Sequence, residues 1–153
     1  MADSALTDAE RRFLVELEAR GIVYMIVGLS AASLQGANTT TLDIDLWFET
    51  TSDPRIAEAA RAAGGGWISG AGMMPPQLSG ALERFDLVNY MHGLERFATE
   101  LARAKIMTVQ GVTVRLLPLD RIIASKRAAN RPKDQVVIPA LEEALAVLKD
   151  SET

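Results

Sequence analysis

The chain of 153 residues contains no cysteine and a single histidine, His92. Without cysteine there is no disulfide and no thiolate site. His92, in Tyr90-Met91-His92-Gly93, has no Cys or second His to join it around a metal, and reads as a loop residue. No apolar stretch is long enough to span a bilayer. The acidic start, Met1-Ala2-Asp3-Ser4, lacks the basic region and hydrophobic run of a secretory leader, so the expected location is cytoplasmic, with no membrane partner. An excess of positive charge is missing too. The formal net charge is −4, so any nucleic-acid contact must use a local basic patch. Repeats, linkers and low-complexity segments are also absent. What remains is an ordinary globular composition, 48% apolar and 24% charged, at a length that predicts one domain, residues 1–153, with a genuine core.

The most informative segment is Leu42-Asp43-Ile44-Asp45-Leu46-Trp47-Phe48. By the period-two rule of a strand, Leu42, Ile44, Leu46 and Phe48 share one face, and Asp43, Asp45 and Trp47 share the other. Residues i and i+2 on a strand lie roughly 7 Å apart, where two unit charges repel by about 2 kcal/mol at an effective dielectric near 20. That arrangement brings no structural gain. A divalent cation such as Mg²⁺, which binds through one or two carboxylates plus substrate phosphates, turns the repulsion into attraction. A solvated strand face is the plain alternative for an isolated Asp-x-Asp. Trp47, on the same face, is either semi-buried or a platform for a base.

Upstream, six apolar residues from Ile22 to Val27 end at Gly28 and are followed by the small residues Leu29 to Gln35. This predicts a buried strand, a tight turn and a short helix that Gly36 closes. Gly28 lets backbone approach a ligand closely, and the helix start offers N–H groups to an anion. A phosphate cradle and a metal site are thereby expected on consecutive strands.

The run from Val27 to Phe48 resembles the signature of the nucleotidyltransferase (DNA polymerase β-like) superfamily. That signature is a strand, Gly-Gly or Gly-Ser, a helix, then Asp-x-Asp on the next strand. It is most similar to the minimal bacterial branch that includes the AbiEii-type toxins. Gly28, Ala31, Gly36, Thr41, Asp43, Ile44, Asp45 and Leu46 match without a gap. Leu29 departs where a second Gly or Ser is expected, with Ser30 next to it. Gln35 and Thr39 replace a common His and Arg. The family carries a third carboxylate in an h-[DE]-h pattern, which Phe85-Asp86-Leu87 fits. Its later basic segment is matched by Lys126, Ala129, Arg131, Lys133 and Asp134.

The resemblance implies an α/β (α+β) fold with a mixed sheet flanked by helices. It also implies metal-dependent transfer of a nucleoside monophosphate from an NTP to a hydroxyl. Asp43, Asp45 and Asp86 would be the catalytic residues and would hold Mg²⁺ or Mn²⁺. Asp86 would complete the metal shell or act as general base. Gly28, Ser30 and Lys126 would contact the nucleotide, where a Lys on an apolar helix stripe otherwise snorkels to water. Implied partners are an NTP, an acceptor that is an RNA, a protein or a small molecule, and an antitoxin-type protein. Two other readings stay open: a non-catalytic binding or partner subunit of the same fold, and a structural α/β domain whose aspartates are surface charges.

Along the chain, Thr7 and Glu10 form a capping box that starts a helix ended by Gly21, with Phe13, Leu14 and Leu17 inward. Asp53-Pro54 opens a helix stopped by Gly64-Gly65-Gly66, and residues 70–80 read as a loop. Strand 85–89, an amphipathic helix from Leu94 to Ala104, and a hairpin turning at Gln110-Gly111 follow. Pro118 opens a helix to about Asn130. A last helix runs to about Lys149, and Pro139 is expected to kink or divide it.

Overall fold

A computed structural model describes residues 5–151; the acidic start at residues 1–4 lies outside them. The first helix, α1 (Asp8–Ala19), begins at the expected capping box, in which Thr7 Oγ1 accepts from Glu10 N at 3.1 Å and Glu10 Oε1 accepts from Thr7 N at 2.9 Å. Glu10 is almost fully buried, and its carboxylate is also held by Arg84 at 2.7 and 2.8 Å. This pair keeps the Glu10 carboxyl below its ordinary pKa despite burial. It also ties the start of α1 to the segment just before the strand that carries Asp86.

Strand β1 (Tyr24–Val27) runs directly into α2 (Gly28–Leu34), and β2 (Ile44–Phe48) returns antiparallel beside it. Helix α3 (Pro54–Ala62) starts with Asp53 accepting from Arg55 N, and β3 (Gly65–Ile68) and β4 (Gln77–Gly80) form a separate hairpin. Strand β5 (Phe85–Val88) pairs parallel to β2. After α4 (Phe97–Leu101), β6 (Lys105–Val109) and β7 (Val112–Leu116) form the expected antiparallel hairpin, and α5 (Leu119–Ala129) and α6 (Pro132–Ser151) end the chain. The sheet is mixed, with order β5-β2-β1-β7-β6 and β7 parallel to β1. On one face Phe13 of α1 meets Phe85 at 5.3 Å between ring centroids, and Tyr24 meets Phe48 at 6.3 Å.

Several local expectations are corrected. Leu42 does not join the apolar face: it is 75% exposed because β2 begins at Ile44. Trp47 is neither semi-buried nor free to stack a base; it is buried edge-on against Phe97 at 5.5 Å. The segment 70–80 is not all loop, since residues 77–80 pair with 65–68 and bury Leu78. The stop at Gly64 is real, with φ +88, but Gly65 and Gly66 belong to β3. Helix α4 is shorter than Leu94–Ala104 because Glu100 turns inward: buried, it accepts from Glu95 N at 2.9 Å and from Arg121 at 2.6 and 2.9 Å. Pro139 does not divide α6. Both it and Gln135, whose carbonyl it leaves without an N–H donor, lie on an exposed side of the helix where water serves.

Candidate active site

The site is assembled where β1 ends, between the sheet and α5. The register pairs Val27 with Asp45 across β1 and β2, and Asp45 with Asp86 across β2 and β5. Directly paired residues of neighbouring strands project to the same side, so Asp45 and Asp86 share a face one strand spacing apart. The two carboxyls are close enough for each to act on the other's ionisation. Asp45 is half-buried, and burial and then the Asp86 charge push its pKa up from 3.8 to about 6, with Asp43 adding to the push and Lys126 opposing it. Burial and Asp43 likewise raise the Asp86 carboxyl, which is itself exposed.

Asp43 does not complete the pair. It sits exposed ahead of β2, in a turn where Thr41 Oγ1 accepts from Asp43 N at 3.2 Å. Among the described residues, no three Asp, Glu or His side chains are grouped closely enough to hold a metal ion. The expected three-carboxylate cavity is therefore a close pair with a third carboxylate beside it, near enough to raise both partners. Such a pair fits Mg²⁺, which takes one or two carboxylates and fills its remaining positions with water and phosphate oxygens.

Gly28 is required by geometry. Its φ is +66, and a Cβ built on it would stand 2.6 Å from Asp45 Oδ2. Any side chain there would displace the carboxylate. Leu29, the departure from the expected small residue, is partly buried and packs against the core. Ser30 Oγ donates to Val27 O at 3.2 Å and remains half-exposed.

Lys126, on α5, pairs with Asp134 and lies near enough for its charge to act on Asp45. Its Nζ lies 3.5 Å from Asp134 Oδ1, and its side chain is largely covered. Asp134 is fully buried and held by Arg131 N and Nε at 3.1 and 2.7 Å, which lowers its pKa to about 2. It pairs with Lys126. Arg131 and Lys133 flank this end of α6, and Lys133 also acts on Asp45. Gln35, where a His was expected, is buried and fixes α2 against α5: its Nε2 donates to Leu117 O at 2.8 Å, and its Oε1 accepts from Leu119 N at 3.2 Å. Neither Asp134 nor Gln35 was assigned a role from sequence. An Asp three residues after Arg131, in the first turn after Pro132, is the sequence signal that marks Asp134.

The chain matches no protein-family model and no curated protein. Solved structures do match. The crystal structure of ANT(2″)-Ia in complex with adenylyl-2″-tobramycin superposes with a TM-score of 0.61 at 17% identity, over 92% of this chain and 88% of that one. The fold is that of the nucleotidyltransferases. A solution structure of the antibiotic-resistance factor ANT(2″)-Ia gives a TM-score of 0.57 at 16% identity, over 94% and 95% of the two chains. An antigenic nucleotidyltransferase-like protein from Paracoccidioides brasiliensis gives 0.52 at 15% identity, over 93% and 78%. Within this nucleotidyltransferase fold, no helix among the described residues is long and apolar enough to cross a membrane.

Proposed function

We propose that this chain is a metal-dependent nucleotidyltransferase. The observation that carries the reading is the Asp45–Asp86 pair on adjacent parallel strands, with Gly28 packed against Asp45 and the Lys126 charge acting on it. Asp45 and Asp86, with Asp43 beside them, would hold Mg²⁺ or Mn²⁺. Bound there, the ion supplies neutralisation of phosphate charge and lowers the pKa of an oxygen it touches. Lys126, fixed by Asp134, meets phosphate oxygens. Gly28 lets the backbone of the turn approach them, and the Ser30 hydroxyl stands one residue further on. An acceptor hydroxyl oxygen forms a bond to the α-phosphorus, the bond from that phosphorus to the leaving oxygen breaks, and pyrophosphate departs. The hydroxyl proton passes to Asp86, whose exposure leaves it open to the acceptor. The gap-free spacing from Val27 to Phe48 supports the minimal AbiEii-toxin-like branch, and a toxin paired with an antitoxin is one setting for it.

Transfer of label from α-labelled NTPs, with Mn²⁺ and with total RNA, protein or small-molecule acceptors, tests the reading. Label should reach one acceptor class in the wild type and none in Asp43→Ala/Asp45→Ala. Metal-dependent nucleotide binding without transfer to any class would point to a binding subunit of the same fold instead.

A further inference from the structure

The five-stranded sheet ends on β5 at one side and on β6 at the other. The β3–β4 hairpin lies against β5, whereas β6 pairs with β7 alone. The hairpin turn fixes which backbone groups of β6 face outward. Gln110 and Gly111 take φ +49 and +82, the left-handed pair of a two-residue type I′ turn. Such a turn is closed by a pair that exchanges both hydrogen bonds, here Val109 and Val112. Bonded pairs then alternate, so Met107 and Lys105 also bond to β7, at Val114 and Leu116. Ile106 and Thr108 are left with N–H and C=O pointing away from β7. No other backbone group among the described residues bonds to them.

Soluble proteins blunt such an edge with proline, a bulge or a lysine along the strand. β6 has no proline, its register against β7 runs without a bulge, and its one charged residue, Lys105, stands at its first position. The side chains beside the open groups are β-branched and exposed, Ile106 at 65%. Such side chains favour a further strand alongside.

The edge is complementary to itself. A two-fold axis through Met107 sets Ile106 of each chain opposite Thr108 of the other. Each of those pairs exchanges both N–H···O=C bonds, so every outward group of Ile106 and Thr108 is satisfied. Met107 meets its own copy as a non-bonded pair, and Lys105 lies opposite Val109, so no like charges face each other. A shift by one residue sets outward groups against inward ones and loses the bonds. We infer that β6 is a self-association edge, on which two copies of this chain pair antiparallel about Met107 into one sheet with five strands from each. Asp45 and Asp86 lie on β2 and β5, on the far side of β1 and β7, so both sites stay open, and the association holds whether or not the chain transfers nucleotide. Pairing over five residues buries less than the about 1,200 Å² of a standard interface, so the dimer is reversible.

The lack of cysteine makes the register testable. Met107→Cys, Ile106→Cys and Thr108→Cys, each in the full chain, are oxidised with diamide and resolved on a non-reducing gel. Across the axis the Met107 Cα atoms stand roughly 4.5 Å apart, within disulfide reach, and the Ile106 or Thr108 Cα atoms stand roughly 8 Å from their own copies, outside it. Met107→Cys should therefore give at least about tenfold more linked dimer than either neighbour. Equal linkage in all three, or more at either neighbour, would overturn the inference. Sedimentation of the chain without substitutions gives a second readout. Its mean mass should rise from one chain toward two as concentration approaches about 1 mM. Thr108→Pro, which removes an outward N–H and no bond of the hairpin, should stay at one chain. A mass that never rises, or a Thr108→Pro variant that associates as readily, would also overturn it.

Discussion

Replacing Asp45 by asparagine should stabilise the metal-free protein at neutral pH. Asp45 is half-buried, and burial and then the Asp86 charge raise its carboxyl from 3.8 to about 6. The folded protein therefore holds a proton between those two values that the unfolded chain has already released. Stability must fall as pH rises through that window and stay level above it. At about 1.4 kcal/mol per pKa unit, the ceiling is about 3 kcal/mol, and Lys126 rearranging toward the pair brings the expected figure to about 1–3 kcal/mol. A carboxamide in place of the acid would keep the shape without the charge, so Asp45→Asn should exceed wild type by that amount at pH 8 and equal it near pH 4. Urea unfolding followed by circular dichroism across pH 4–8, with chelator present, reads the difference as a shift in midpoint. Saturating Mn²⁺ should stabilise the wild type and not the variant, reversing their order. A variant no more stable than wild type at pH 8 would refute the account of Asp45 as a strained, cation-seeking carboxylate.

Three further outcomes follow from the same geometry. Gly28→Ala should lose about 1–2 kcal/mol for a left-handed backbone with a side chain, plus a term for the 2.6 Å approach to Asp45 Oδ2. That second term should vanish when Asp45→Ala is added, so a double-mutant cycle by urea unfolding must show coupling, and strict additivity would exclude the contact. Lys126→Ala should weaken NTP binding about tenfold or more by titration calorimetry, while Arg131 keeps Asp134 satisfied and the fold intact; unchanged affinity would leave Lys126 a structural partner of Asp134 alone. Leu29→Gly should lower stability by about 1–2 kcal/mol, because it removes a partly buried side chain and adds glycine to α2; a rise in label transfer would instead show that Leu29 obstructs the turn.

Much of this arrangement could be read from sequence wherever local chemistry decides local structure. The Thr7–Glu10 capping box, the Asp53-Pro54 helix start and the Gln110-Gly111 hairpin each form as their residues require. The turn at Gly28 and the strand positions of Asp45 and Asp86 were legible for the same reason: an apolar run interrupted by glycine or by single carboxylates has few alternatives. Tertiary packing decided the rest. The glycines of Gly65–Ile68 and Gln77–Gly80 disfavour a strand; Leu78 and Leu82 entering the core hold that hairpin. Leu29 stands where the sequence pattern expects a small residue and lies partly buried against the core, a packing set by where α2 lies. Asp134, Gln35 and the Glu10–Arg84 and Glu100–Arg121 pairs are buried polar groups whose partners lie far away in sequence or depend on a fold not yet known. Asp43 stands apart from its companions because β2 starts one residue after it.

The central claim is that Asp45 and Asp86, with Lys126 opposite, form one site for a nucleoside triphosphate and a divalent cation. Thermal unfolding of the wild type, Asp45→Asn and Lys126→Ala with each NTP, in the presence and absence of Mg²⁺ or Mn²⁺, tests it most directly. Ligand at about a hundred times its dissociation constant stabilises by about 2.7 kcal/mol, which for a protein of this size raises the midpoint by about 5–10 °C. The wild type should show that rise only when nucleotide and metal are present together, Lys126→Ala a smaller one, and Asp45→Asn none. A midpoint that no combination of NTP and metal moves, or one that rises equally in Asp45→Asn, would contradict the claim.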